Sequence, residues 1–176
     1  MRDQQTNTTE SQSECSNTAC GSELSNSITL KSKQGEKKIM NTNIQPATRL
    51  QAAEALHQLQ GFIGTAQRQV IGELCYSEEK QFFYGKFVAL AEVVSSMPVT
   101  YGTDGQGDQA VVYLHYFTGS CDWYITERDV EAEQLQAFGM ANLGYGGELG
   151  YISIVELLQC GAELDLYWTP KKLAEI

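Results

Sequence analysis

The chain is 176 residues long, enough for one ordinary domain and a tail, and 42% hydrophobic and 10% aromatic residues suffice for a true core. Its charge is uneven: residues 1–40 carry five basic and five acidic side chains, whereas residues 41–176 carry 7 Lys/Arg against 17 Asp/Glu, a net of −10. Between 101 and 165 one basic residue, Arg128, stands against eleven carboxylates. Such a surface repels DNA, RNA and anionic lipid, which argues against direct nucleic-acid or membrane-surface binding and for a protein partner of basic character.

The five cysteines (15, 20, 75, 121, 160) are scattered without a CxxC, and the only histidines are His57 and His115. Zinc sites need ligand pairs at short spacing, so neither a metal nor a cofactor is expected. No basic-then-apolar leader opens the sequence, and no apolar run approaches the roughly 18 residues of a membrane span. These features predict a soluble protein of the reducing cytoplasm with free thiols.

Residues 1–39 are rich in Ser, Thr, Asn, Gln and Glu and nearly lack large apolar groups. Burial cannot offset the entropy of ordering such a segment, so a disordered tail is predicted. Met40 precedes the first apolar segment, consistent with translation starting there. Residues 40–176 are expected to form a single α+β domain, helical over 47–97 and sheet-rich over 101–176.

In 47–75 the apolar positions Leu50, Ala53, Leu56, Leu59, Ile63, Ala66, Val70 and Leu74 step by three and four, one face of a helix with a break expected near Gly61–Gly64. A second helix is predicted from Ser77 as N-cap, with Phe83, Phe87, Leu90, Val94 and Met97 on one face and Pro98 as the stop. The pair fits a helical hairpin packed on the rest of the domain in preference to a coiled-coil dimer.

"YGTDGQGDQ" (101–109) raises the question of a calcium loop. Asp104, Gln106 and Asp108 match ligand positions 1, 3 and 5, but the required Gly and Glu are replaced by Gln109 and His115. No Lys or Arg lies near enough for a phosphate cradle, so the segment reads as a connector into a sheet.

After it the period changes to two. "AVVYLHYF" and "CDWYITE" flank a Gly119-Ser120 turn, and a two-residue loop pairs Phe117 with Asp122, Tyr116 with Trp123 and His115 with Tyr124. Val112, Leu114, Tyr116, Trp123 and Ile125 then form a core face, and Tyr113, His115, Phe117, Asp122, Tyr124 and Thr126 the other. Cys121 falls opposite Thr118, too far from His115 for a nucleophile–base pair. Two more strands are expected in "QLQAFGMANL" and "ELGYISI". Ser153 and Glu156 form a capping box for a short helix stopped at Gly161. "ELDLYW" alternates again, with Leu164, Leu166 and Trp168 facing one way, and Thr169-Pro170 begins a final turn. The expected architecture is a helical hairpin on a mostly antiparallel sheet of four to five strands.

"DGQGD" before a strand, "HYFTGSCDWYITERD", "FGMANLG", "ELGYISIVEL" and "LDLYWTPKKLAEI" resemble, in that order, the DUF2958 family of bacterial plasmids, integrative elements and phages. The resemblance covers about 101–176 and leaves the helices at 47–97 as an extension. It implies a setting in mobile DNA but brings no activity or catalytic residue. The expected function is a non-enzymatic accessory protein of a mobile element, with anti-restriction by charge mimicry of DNA as one specific version. The expected patch is Tyr113, His115, Phe117, Asp122 and Tyr124, rimmed by Glu127, Asp129, Glu131 and Glu133. Two alternatives are a small hydrolase-like enzyme using His115 and Asp122 as an acid/base pair, and a structural domain of a larger assembly.

Overall fold

In the computed structural model, which describes residues 46–176, the first helix opens on a capping box at Thr48. The Thr48 hydroxyl accepts from the Gln51 amide at 3.3 Å, and the Gln51 side chain accepts from the Thr48 amide at 2.9 Å. The predicted tail 1–39, the start at Met40 and Cys15–Cys20 lie outside the described residues. All described residues fall in one compact unit, Asn43–Ile176.

The predicted break in the first helical stretch is present. Helix α1 (Arg49–Gln58) tightens into a 3-10 turn at Leu59–Gly61, and α2 (Thr65–Leu74) starts afresh after Gly64. The interruption resets the helical phase, so the single face predicted over 50–74 does not survive. Leu59 and Ile63 are buried as predicted, but Leu50 and Val70 are exposed, and Ala52, Ala55 and Ile71 are buried in addition. Helix α3 (Lys80–Ser96) starts three residues after Ser77, whose hydroxyl accepts from the Glu79 amide and donates to the Leu74 carbonyl. Ser77 therefore caps the turn between α2 and α3 rather than the helix itself. The predicted face holds: Phe83, Phe87, Val94 and Met97 are buried. Helices α1 and α3 pack against each other, and Ile71 of α2 joins the same core.

The sheet-rich half comprises β1 (Val111–Val112), β2 (Leu114–Thr118), β3 (Cys121–Glu127), β4 (Ala137–Asn142) and β5 (Gly147–Ile152). After these come α4 (Ile154–Gln159), β6 (Glu163–Leu164) and β7 (Lys171–Lys172). Five strands form one antiparallel sheet in the order β5-β4-β3-β2-β6. The β2–β3 hairpin has the predicted register, with Gly119 at φ 56° supplying the turn. The predicted α+β class with a mostly antiparallel sheet is thus what the chain adopts.

Two corrections follow from local irregularities. The Tyr113 amide donates to the Ile125 carbonyl at 2.8 Å, while Ile125 is also the partner of Leu114. Two residues facing one make a bulge, which reverses the alternation at this point. Tyr113 therefore packs with Leu114 against the helical core, and Val112 is buried on the opposite face. In the second irregularity β6 ends at Leu164, and Asp165 turns the chain, its carboxylate accepting from the Tyr167 amide at 2.8 Å. Leu164 and Leu166 stay with the main core, but Trp168 crosses to the other face. The predicted final turn is instead β7, which pairs with β1, followed by a 3-10 turn at Leu173–Glu175.

The helices cover one face of the sheet. Leu59, Ile63, Phe87, Leu114, Tyr116 and Ile125 meet there, and the buried Tyr116 hydroxyl donates to the Phe62 carbonyl at 2.8 Å. Burial with that single partner pushes the Tyr116 phenol far up. The C-terminal segment returns over the centre of the other face, where Ala110, Val112 and Leu173 are buried beside Tyr124, Met140 and Trp168. The two outer edges of the sheet are unequal. At β6 the Gln67 amide group donates to the Leu164 carbonyl (2.7 Å) and accepts from the Leu164 amide (3.1 Å). That side chain occupies the backbone groups a further strand would use. At β5, six residues long and without a bulge against β4, no element of the described residues pairs with the outer side.

Candidate functional site

The face of the sheet turned away from α1–α3 holds two groups of predicted or potential site residues. The first is built on the β2–β3 register. His115 and Tyr124 are cross-strand partners with rings stacked 4.9 Å apart at 8°, and Phe117 lies 5.9 Å from the imidazole. The predicted diagonal contact is present: His115 Nε2 is 2.9 Å from Asp122 Oδ1. Sequence reasoning missed the other side of the ring, where Nδ1 lies 3.3 Å from Asp165 Oδ2. It also missed Trp168, whose ring lies 5.0 Å from His115 and whose indole N–H donates to the Val112 carbonyl. Burial, and after it the Asp122 charge, push the Tyr124 phenol upward.

With Tyr124 stacked on it and Trp168 tilted against it at 47°, the His115 side chain is only 14% exposed, and both ring nitrogens face carboxylates. Each ring nitrogen lies within hydrogen-bond reach of a carboxylate oxygen. Neither nitrogen is left for a substrate, and Cys121 sits at the far end of the hairpin opposite Thr118. The cluster therefore reads as a brace that fastens the turn after β6 onto β2.

The remaining predicted residues are elsewhere. Tyr113 is on the helical side of the sheet, carried there by the bulge. Glu127 and Asp129 do not form a solvated rim: both are buried, at 2% and 7% exposure. Glu127 accepts from the Tyr101 amide (2.7 Å), the Thr103 amide (2.6 Å) and the Thr103 hydroxyl, and so ties the loop 101–103 down onto the sheet. Asp129 accepts from the amides of Glu131 and Gln136. Burial alone would raise the Asp129 carboxyl, but backbone amides at Gln136, Glu131, Val130 and Leu135 outweigh it and hold the group below its ordinary value. Glu131 and Glu133 are exposed, yet they line a separate cleft with His57, Phe62 and Arg128 on the helical side.

The second group lies where β4 and β5 leave the cover of the C-terminal segment. Phe138 and Tyr151 are register partners, as are Met140 and Leu149. Leu149 and Tyr151 are 52% and 57% exposed on the outermost strand. Tyr101, held at φ 73° and 74% exposed, meets Tyr151 edge-on at 6.5 Å, and Phe138 meets it at 5.6 Å. The neighbouring Tyr101 hydroxyl first, then burial and the nearby Glu127 charge, raise the Tyr151 phenol. Together with Glu127 and Asp104 these rings enclose a pocket of about 310 Å³. The β5 run of apolar and aromatic residues was visible as a strand in the sequence. Its position at the edge was not, because strand order is a property of the whole sheet.

Among the described residues no group of three His, Cys, Asp or Glu is placed to hold a metal ion. No helix among them is long and apolar enough to cross a membrane. The family model described as protein of unknown function (DUF2958) matches residues 90–169, in agreement with the resemblance carried by the motifs. The match starts inside α3, so the last turns of that helix belong to the shared pattern rather than to an extension. No curated protein and no solved structure matches the chain.

Proposed function

We propose that this chain is a non-enzymatic interaction protein that takes an extended, basic segment of a partner protein as an added strand on β5. The observation that carries the reading is the unequal treatment of the two sheet edges. Exposed edges invite pairing with other chains, and proteins blunt them with Lys, Pro, bulges or covering groups. The β6 edge is closed by Gln67, whereas β5 has six residues in unbroken register with β4 and, apart from the single charge of Glu148, none of these devices. Its outward backbone groups would supply the hydrogen bonds, and exposed Leu149 and Tyr151 the side-chain contacts.

The charge of the domain favours a basic partner over a second copy. Residues 41–176 carry a net of −10, and the one charged residue on β5 is Glu148. Two copies paired through β5 would repel, while a cationic segment would be steered in. In the setting implied by the family resemblance, a cytoplasmic protein of a mobile element, such a partner could be a basic nuclease, and the anti-restriction reading is one specific form of the proposal. The hydrolase-like alternative loses support because both His115 nitrogens are engaged.

The test is an NMR titration of the full chain with a Lys-Val repeat peptide of roughly eight residues, about the length of an ordinary strand. Shifts concentrated in the amides of Gly147–Ile152, weakening with salt and reduced by Leu149→Lys, are expected. Equal shifts with a Glu-Val peptide, or none in β5, would overturn the reading.

A further inference from the structure

The pocket beside β5 has a chemistry of its own. Its wall is formed by Tyr101, Phe138 and Tyr151, set edge-to-face, and Leu149 closes one side. Its floor is the Glu127 carboxylate. Among the described residues ion pairs are confined to His115 with Asp122 and Asp165, so no cation faces Glu127. Asp104 adds a second carboxylate to the lining, which contains no Lys or Arg.

Glu127 is well hydrogen-bonded but not saturated. A carboxylate offers about four acceptor positions. Oε1 takes the amide and hydroxyl of Thr103, and Oε2 takes the Tyr101 amide alone. One acceptor position on Oε2 therefore remains, at the base of a pocket walled by aromatic rings. Rings with a carboxylate beneath them suit an organic cation, because the ring faces and the carboxylate both attract positive charge. A single open position suits the point charge of an ammonium better than the two-pronged guanidinium.

We infer that this pocket receives the ammonium of a lysine side chain, presented by the strand that adds to β5. The inference rests on the proposed strand addition for its source of lysine, but the pocket chemistry stands apart from it. Neighbouring strands lie about 4.8 Å apart, and alternate side chains share a face. A lysine placed next to Tyr151 on an added strand thus needs only its own four-carbon stem to reach the pocket. The stem packs on Leu149 and Tyr151, and the ammonium meets Oε2 of Glu127. At about 310 Å³ the pocket has room for the end of such a side chain.

The experiment uses the full-length chain and three small probes: the Nα-acetyl methylamides of lysine, arginine and norleucine. Amide shifts of Tyr101 and Thr103 report the floor of the pocket. The inference expects saturable shifts with the lysine probe, weaker ones with arginine, and none with norleucine at the same concentration. Tyr151→Leu, which keeps an apolar side chain at an exposed position, should weaken lysine binding about fivefold without changing the fold. An equal response to norleucine, or no response to lysine, would overturn the assignment, and a tighter arginine probe would overturn the choice of ammonium. Failure of the pocket and failure of strand addition look different. If the Lys-Val peptide binds β5 and replacing its lysines by norleucine costs nothing, the pocket falls and strand addition stands. If the lysine probe binds and no peptide does, strand addition falls and the pocket stands.

Discussion

Glu127→Gln tests the most consequential correction, that this carboxylate is a buried fastener and not part of an acidic surface. The wild-type carboxylate accepts three hydrogen bonds, from the Tyr101 amide and from the amide and hydroxyl of Thr103. Glutamine has nearly the same volume but one carbonyl oxygen and an NH2 group. Turned towards Thr103, it sets its NH2 against the Tyr101 amide; turned the other way, it loses both Thr103 bonds. At least one charge-assisted bond disappears and one amide is left facing a donor, a cost of about 1.5–3 kcal/mol. A protein of this size shifts its Tm by about 2–4 °C per kcal/mol, so a fall of roughly 3–12 °C is expected. Thermal unfolding followed by circular dichroism gives the shift, and hydrogen exchange at Tyr101 and Thr103 shows whether the loop has come loose. Glu148→Gln on exposed β5 is the control, expected within about 0.5 kcal/mol of wild type. A Glu127→Gln protein with the same Tm and the same protection at 101–103 would refute the fastening role.

Three further outcomes follow from the same geometry. Gln67→Ala removes both contacts to Leu164 and should cost about 1–2 kcal/mol in urea unfolding, with faster exchange at the Leu164 amide. Gly139→Ala should destabilise by more than about 3 kcal/mol, since a Cβ there would run into the Tyr124 carbonyl and Ile125 Cα on β3, whereas Gly150→Ala has open space and should be near neutral. Asp129 has a lowered folded value, so its contribution is fully present above the ordinary Asp range near 4 and is lost as pH falls through the lowered value. Asp129→Asn should therefore flatten the acid side of the stability profile, measured by denaturant midpoints between neutral and strongly acidic pH.

The sequence was most legible where the local pattern is regular. The β2–β3 register followed from a two-residue turn and strict alternation, and the α3 face from a three-four spacing that nothing interrupts. It was least legible where one residue breaks the period. The bulge at Tyr113 exchanges the faces of Tyr113 and Val112, and the turn at Asp165 sends Trp168 across the sheet. Both devices depend on contacts with distant strands, which composition does not carry. The acidic rim failed for a related reason. Glu127 and Asp129 look like their exposed neighbours Glu131 and Glu133 in the sequence, yet loops from 101–103 and 131–136 fold back to donate amides to them. Asp165 was the one hidden member of the His115 cluster with a usable signal, since it follows Leu164 in an alternating run and Leu164 pairs with Tyr116.

The stretch "YGTDGQGDQ" at 101–109 gains a role from this geometry, and the role bears on function. Tyr101 and Thr103 are held by Glu127, which places the Tyr101 ring against Tyr151 on the outermost strand. The loop is thus what turns an exposed sheet edge into an edge with a walled pocket beside it. Were β5 only an unprotected margin of a structural domain, a Lys or Pro on it would be the economical solution, as on edges elsewhere. Instead it carries glycines, apolar residues and one glutamate, and a buried carboxylate next to it is spent on holding an aromatic ring in place. A sheet left unpaired at one edge and closed by Gln67 at the other, on a domain whose residues 41–176 sum to a net of −10, would select by what it excludes. On the proposed strand addition, a second copy of the same acidic chain would be repelled and a basic extended segment admitted.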